Sequence, residues 1–209
     1  MEESIVIAKT SRFFREGNPD SNKLLIALHG YGQLPSYFIQ KFKVLFENWQ
    51  VVAPEGLHRF YVNGHAGRVG ASWMTKEARE QDIVDNLNYL EALVEQLISN
   101  KQYDEIVLLG FSQGGATAAR FFYQSKLPLT KLIVWASVLP PDINSESFFS
   151  SGNNIRKTVF VVGDEDPFFP DDQLSKVKDS FSEIGYQVHA FAGKHDIDEK
   201  TLEVVIEKA

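Results

Sequence analysis

Short apolar runs alternate with longer amphipathic ones along the chain. KLLIALHG (23–30), WQVVAPEG (49–56), EIVLLGFS (105–112), LIVWAS (132–137), TVFVVGDED (158–166) and YQVHAFAG (186–193) each hold a short apolar core. These runs are continuous rather than strictly alternating, as expected of parallel strands buried on both faces. SIVIAK and RFF, near the N-terminus, suit an added edge hairpin. Helical patterns fill the gaps. In residues 77–100, Ile83, Leu87, Leu90, Val94 and Leu97 recur at spacings of three and four, which gives one apolar face. Leu174, Val177, Phe181 and Ile184 do the same in 171–185, where Gly185 sits at a helix C-cap position. The tail, 196–209, reads as a last helix with acidic residues at its start and Lys208 near its end, as the helix dipole prefers.

This β–α alternation predicts an α/β fold: a mostly parallel sheet flanked by helices on both faces, in a single domain over 1–209. The connection between LIVWAS and TVFVVG is too brief for a large cap domain. The longest irregular stretch is 56–76. In such sheets ligands bind beyond the carboxyl ends of the strands.

Composition narrows the function classes. The net charge is −7 and no block of Lys or Arg appears, so nucleic acid and anionic membrane surfaces are not expected partners. There are no cysteines, which excludes disulfides, thiolate metal sites and cysteine nucleophiles. The first residues, MEESIVIAKTSRFF, lack the pattern of a signal peptide, and no apolar run reaches membrane-spanning length. The expectation is a cytoplasmic protein without stable membrane insertion. No His-x-x-x-His or similar metal cluster is present.

The chemistry concentrates at one corner. Gly110-Phe111-Ser112-Gln113-Gly114 fits G-x-S-x-G between an expected strand and an expected helix, the context of a nucleophile elbow. A sharp strand-to-helix turn crowds the positions two before and two after the serine, and glycine relieves that crowding. The same residues also suit a serine N-cap on an ordinary turn. A serine nucleophile needs a base, and in this fold the order along the chain is Ser, acid, His. Only His189 and His195 follow Ser112. His189 lies inside a strand, whereas His195 lies on the loop after it, where a base can swing over the serine. The acid should come from the loop after TVFVVG. Asp166, before Pro167, is favoured over Asp164. Oxyanion donors are expected from the backbone N–H of Gln113 and, in the early loop His29-Gly30-Tyr31-Gly32, from that of Tyr31. His29 precedes the nucleophile and is read as holding that loop.

Trp73, Tyr61 and Phe60 in the long loop, and Phe168 and Phe169 beside the acid, suit either a substrate wall or simple packing. Of these, Trp73 and Phe168 are the substrate-binding candidates. Arg59, Arg68 and Arg79 suit solvated surface charge or contact with an anionic group.

With these residues in place, the sequence resembles the phospholipase/carboxylesterase group of α/β-hydrolases, which includes acyl-protein thioesterases. LHGYG (28–32), GFSQGG (110–115), GDEDP (163–167) and the His195 loop carry the resemblance, with ASWM (71–74) as a fifth landmark. It implies a Ser-Asp-His serine hydrolase without cofactor or metal, a carboxylesterase forming an acyl-enzyme on small-molecule esters or thioesters. It makes Ser112 the nucleophile, Asp166 rather than Asp164 the acid, His195 the base, and Tyr31 and Gln113 the oxyanion donors. Acyl-protein thioesterase, lysophospholipase, amidase or peptidase activity on the same triad is the alternative, as is a hydrolase-fold domain that only binds. His195 stands in GKHDID, with charged neighbours where several relatives have small residues. Oligomeric state is not legible in the sequence.

Overall fold

The computed structural model describes residues 3–143 and 157–207. Its centre is a seven-stranded sheet built from β1 (Phe13–Gly17), β2 (Lys23–Leu28), β3 (Gln50–Pro54), β6 (Glu105–Phe111), β7 (Lys131–Trp135), β8 (Lys157–Gly163) and β9 (Gln187–Phe191), in the order β1-β3-β2-β6-β7-β8-β9. Only β1 runs antiparallel, against β3; the other strands pair in parallel. All six apolar runs therefore form strands. RFF lies on the edge strand β1, but SIVIAK forms no strand, and Ile5, Val6 and Ile7 are exposed. An isolated apolar run with no partner strand has nothing to hold it extended in a sheet.

Successive residues of β2 face opposite sides of the sheet, and each side has its own helices. Leu24, Ile26 and Leu28 pack with α2 (Arg79–Ser99), α3 (Gln113–Gln124) and α4 (Asp171–Glu183). Leu25 and Ala27 pack with α1 (Pro35–Phe38), a 3₁₀ segment (Ile39–Leu45) and α5 (Glu199–Glu207). Burial on both faces explains why the central strands are apolar without alternation. Gly185 has φ +87°, as a helix-ending glycine does. The Lys131 ammonium, buried on β7, donates to the carbonyls of Val205 and Ile206 near the end of α5. Lys208 lies outside the described residues.

The stretch 56–76 is less irregular than its sequence suggests. It contains a small antiparallel hairpin, β4 (His58–Tyr61) and β5 (Val69–Ser72). Its turn includes Gly64 and Gly67, both at positive φ. β4 is mostly exposed, so no buried run marks it. Gly32 N–H donates to the Ala71 carbonyl and Ala71 N–H to the Gln33 carbonyl, which stitches the hairpin to the loop after β2. Gly70 is required there, since a Cβ would stand 2.5 Å from the Gly32 carbonyl oxygen.

Candidate active site

Ser112 follows β6 directly and precedes the first residue of α3. Its backbone has φ 52° and ψ −121°, a strained conformation for a residue with a side chain. Such strain persists only where the surroundings enforce it. Ser112 N–H donates to the Trp135 carbonyl at 2.8 Å, and the Ser112 carbonyl accepts from Gly115 N–H at 2.9 Å. The flanking glycines are sterically required. A Cβ on Gly110 would lie 2.3 Å from the Gly114 carbonyl oxygen, and one on Gly114 would lie 2.5 Å from that of Leu28. The hydroxyl makes no capping hydrogen bond to α3. The N-cap reading of this serine therefore finds no support in the geometry.

Asp166 and His195 come together from the loops after β8 and β9. His195 Nδ1 lies 2.7 Å from Asp166 Oδ2, and the Asp166 side chain is fully buried. Asp166 Oδ1 accepts from Phe168 N–H at 2.9 Å. The carboxylate is thus held at both oxygens, and Nδ1 carries the proton that faces it. The two loops are interlaced. Glu165 N–H donates to the Gly193 carbonyl, and Gly193 N–H donates to Asp164 Oδ1. Asp164 therefore secures the base's loop while Asp166 reaches the imidazole. The ring of His195 packs between Phe111, with centroids 4.8 Å apart, and Phe168, at 4.5 Å. Phe111 immediately precedes Ser112, so this stacking sets the imidazole beside the serine corner.

The loop after β2 approaches from the other side. A Cβ on Gly30 would lie 3.2 Å from Ser112 Cβ. Within this turn, Gly30 N–H donates to Gln33 Oε1, Gly32 N–H to the Ala71 carbonyl and Gln33 N–H to the Gly30 carbonyl. The N–H of Tyr31 has no such acceptor among the described residues. Gln113 opens α3, so its N–H has no intrahelical acceptor. Tyr31, on the loop after β2, and Gln113, at the start of α3, thus each keep a backbone N–H without an acceptor among the described residues. His29 is buried, with Nδ1 donating to the Gly30 carbonyl and Nε2 accepting from Gly56 N–H. Burial pulls its pKa down to about 4, which leaves it neutral near pH 7 and suited to bracing this loop.

Trp73 requires a correction. It is 0% exposed, and its indole N–H donates to the His29 carbonyl at 2.8 Å. It packs the loop onto the domain and presents no wall to a substrate. Phe168, in contrast, is 69% exposed beside His195. Phe60 stacks on the exposed ring of Tyr31, with centroids 5.0 Å apart.

Two residues that the sequence did not single out, Gln33 and Trp135, hold this arrangement together with the side chain of Gln113. Gln113 Oε1 accepts from Trp73 N–H, and its Nε2 donates to the Met74 carbonyl. Gln33 fixes Gly30, as described above. Trp135 receives the Ser112 N–H on its carbonyl and donates its own indole N–H to the Asp196 carbonyl at 2.9 Å, next to His195. Nothing local marks Gln113 or Trp135 for this task, because their side-chain partners lie 39 to 61 positions away. Among the described residues, no three His, Asp or Glu side chains converge to hold a metal ion.

A family model described as Phospholipase/Carboxylesterase matches residues 11–208. Among solved structures, the chain is similar to Zea mays acyl-protein thioesterase 2, with 18% identity, 94% of this chain and 96% of that chain covered, and a TM-score of 0.66. It is similar to esterase PE8 at 19% identity, covering 94% and 95%, with a TM-score of 0.64. Arabidopsis thaliana SOBER1 matches at 19% identity over 88% and 95%, also with a TM-score of 0.64. These likenesses show the α/β-hydrolase fold. No curated protein sequence matches significantly.

Proposed function

Because the chain belongs to the phospholipase/carboxylesterase family of hydrolases, we propose that it is a cofactor-independent carboxylesterase in which Ser112, Asp166 and His195 act as one unit. The observation that carries this reading is the strained, uncapped Ser112 corner, with His195 of the Asp166–His195 pair packed against the residue before it. Residues 1–209 are read as one hydrolase domain.

In the proposed reaction, His195 Nε2 takes the Ser112 proton as Oγ attacks the carbonyl carbon of an ester. Asp166 keeps the proton on Nδ1 and stabilises the imidazolium that forms. The N–H groups of Tyr31 and Gln113 receive the developing oxyanion. One such donor is worth roughly 10²–10³ in rate. The alcohol or thiol leaves with the proton from His195, and water then releases the acid by the same steps. The burial of Asp166 supports this assignment, since a buried carboxylate needs a cationic or hydrogen-bonding partner to remain charged.

The test compares wild type with Ser112→Ala, purified identically, on p-nitrophenyl acetate, butyrate and octanoate and on a thioester and an anilide. Turnover by wild type and background rates for the variant are expected, with esters or thioesters well ahead of the amide. Equal hydrolysis by both proteins would remove Ser112 from the mechanism. Turnover by neither, together with no covalent labelling of Ser112 by a fluorophosphonate, would leave a domain that only binds.

A further inference from the structure

The three arginines around the long loop have different fates. Arg59 pairs with Glu55 at 2.9 Å, and Arg79 pairs with Glu80 and Asp142. Arg68 has no carboxylate within ion-pair distance among the described residues. It lines a cleft of about 440 Å³ whose apolar surface comes from Leu34, Tyr37, Phe38 and Val69. Lys41 also reaches this cleft, but its charge is already matched by Asp196. The unmatched charge in the cleft is therefore that of Arg68, in a protein whose net charge is −7.

The cleft is joined to the serine corner by short links. Gln33, on its wall, holds Gly30 through Oε1, and Gly30 lies against Ser112 Cβ. Arg68 directly precedes β5, whose Ala71 is hydrogen-bonded to Gly32 and Gln33. On the far wall, the ring of Phe38 lies 5.9 Å from that of Phe111, which in turn stacks on His195. The backbone at Arg68 is thus tied through β5 to the loop beside Ser112, while the residue itself is exposed.

We infer that this cleft is a substrate subsite in which Arg68 receives an anionic group, carboxylate or phosphate, carried on a short apolar arm from the scissile ester. The inference rests on the proposed function and names its substrate class. A guanidinium suits this task, since it presents paired donors to a carboxylate or phosphate. The apolar lining accommodates the methylene arm. An anion on the acyl side and one on the leaving-group side present the same chemistry to Arg68.

Esters with one p-nitrophenyl group and a free ω-carboxylate (glutarate, adipate) are compared with the neutral butyrate and hexanoate esters. Butyrate esters of p-hydroxyphenylacetate and of its methyl ester test the leaving-group side. Wild type is expected to favour the anionic member of one of the two sets in kcat/KM, by about two- to fivefold at low salt, a size typical of exposed charge pairs. Arg68→Gln should abolish that preference while leaving the neutral esters within about twofold. Rescue by Arg68→Lys should be partial. No preference in either set, or a preference that survives in Arg68→Gln, overturns the inference. Saturation-transfer NMR with methyl hydrogen glutarate, on Ser112→Ala and on Ser112→Ala/Arg68→Gln, provides a readout independent of turnover. A signal that disappears with Arg68 upholds the subsite even if the esterase reading fails. Equal signals, or none, reject it.

Discussion

At the scale of single residues, the carboxylate of Asp166 has two separable tasks, to hold one tautomer of His195 and to balance its charge. Asp166→Asn keeps the shape and removes both. The amide can present a donor toward Nδ1 and so favour the tautomer with its proton on Nε2, which cannot accept from serine. A drop in kcat of about 10⁴ is expected on the p-nitrophenyl ester that wild type hydrolyses best, with KM little changed. Asp164→Asn is the control. Its side-chain oxygen can still accept from Gly193 N–H, so activity should stay within a few-fold of wild type. Both carboxylates were candidates in the sequence, and one strand-to-loop exit could not separate them by spacing alone. Their different partners become visible only when β9 is laid beside β8.

At the scale of elements, Trp135 connects strand β7 to the Ser112 corner after β6 and to the loop after β9. Trp135→Phe deletes the indole N–H, leaving the Asp196 carbonyl without that partner, and its smaller ring leaves a void at a fully buried position. The lost hydrogen bond and the void together should cost about 2–3 kcal/mol in stability. The base's loop loses an anchor one residue from His195, so the rate of fluorophosphonate labelling of Ser112 at 25 °C should fall about tenfold in protein that is still folded, with the melting temperature lowered by about 5–10 °C. The buried strands were legible because a sheet covered on both faces writes long apolar runs into its strands. The hairpin β4–β5 was not, because exposed strands carry no such mark. The α1 and 3₁₀ segments were also missed, although Phe38, Ile39, Phe42 and Leu45 repeat at helical spacing after Pro35. The repeat is short and is broken between two helix types. Trp73 misled for another reason. An aromatic residue in a long loop looks the same in sequence whether it faces solvent or core, and the partner that decides the matter, the His29 carbonyl, is 44 positions distant.

At the scale of the whole molecule, His29 links acidity to stability. Its pKa in the fold is about 4 against an ordinary 6.5, chiefly because burial disfavours the charged ring. Between those values the unfolded chain binds more protons at this site than the folded one, so stability is intact above about pH 6.5 and declines as pH falls toward 4. The decline attributable to this group is up to about 3 kcal/mol. Denaturant midpoints measured from pH 7 to pH 4 should fall for wild type. They should fall less steeply for His29→Asn, even though that variant starts lower. The order of the sheet has a consequence of another kind. The serine corner follows β6, the acid follows β8, and the imidazole arrives only after β9, at the far edge. On the proposed roles, a nascent chain that has completed β8 carries a nucleophile and an acid but no base. It is inert toward esters until the final strand docks, so catalytic competence reports completion of the sheet rather than the presence of its serine.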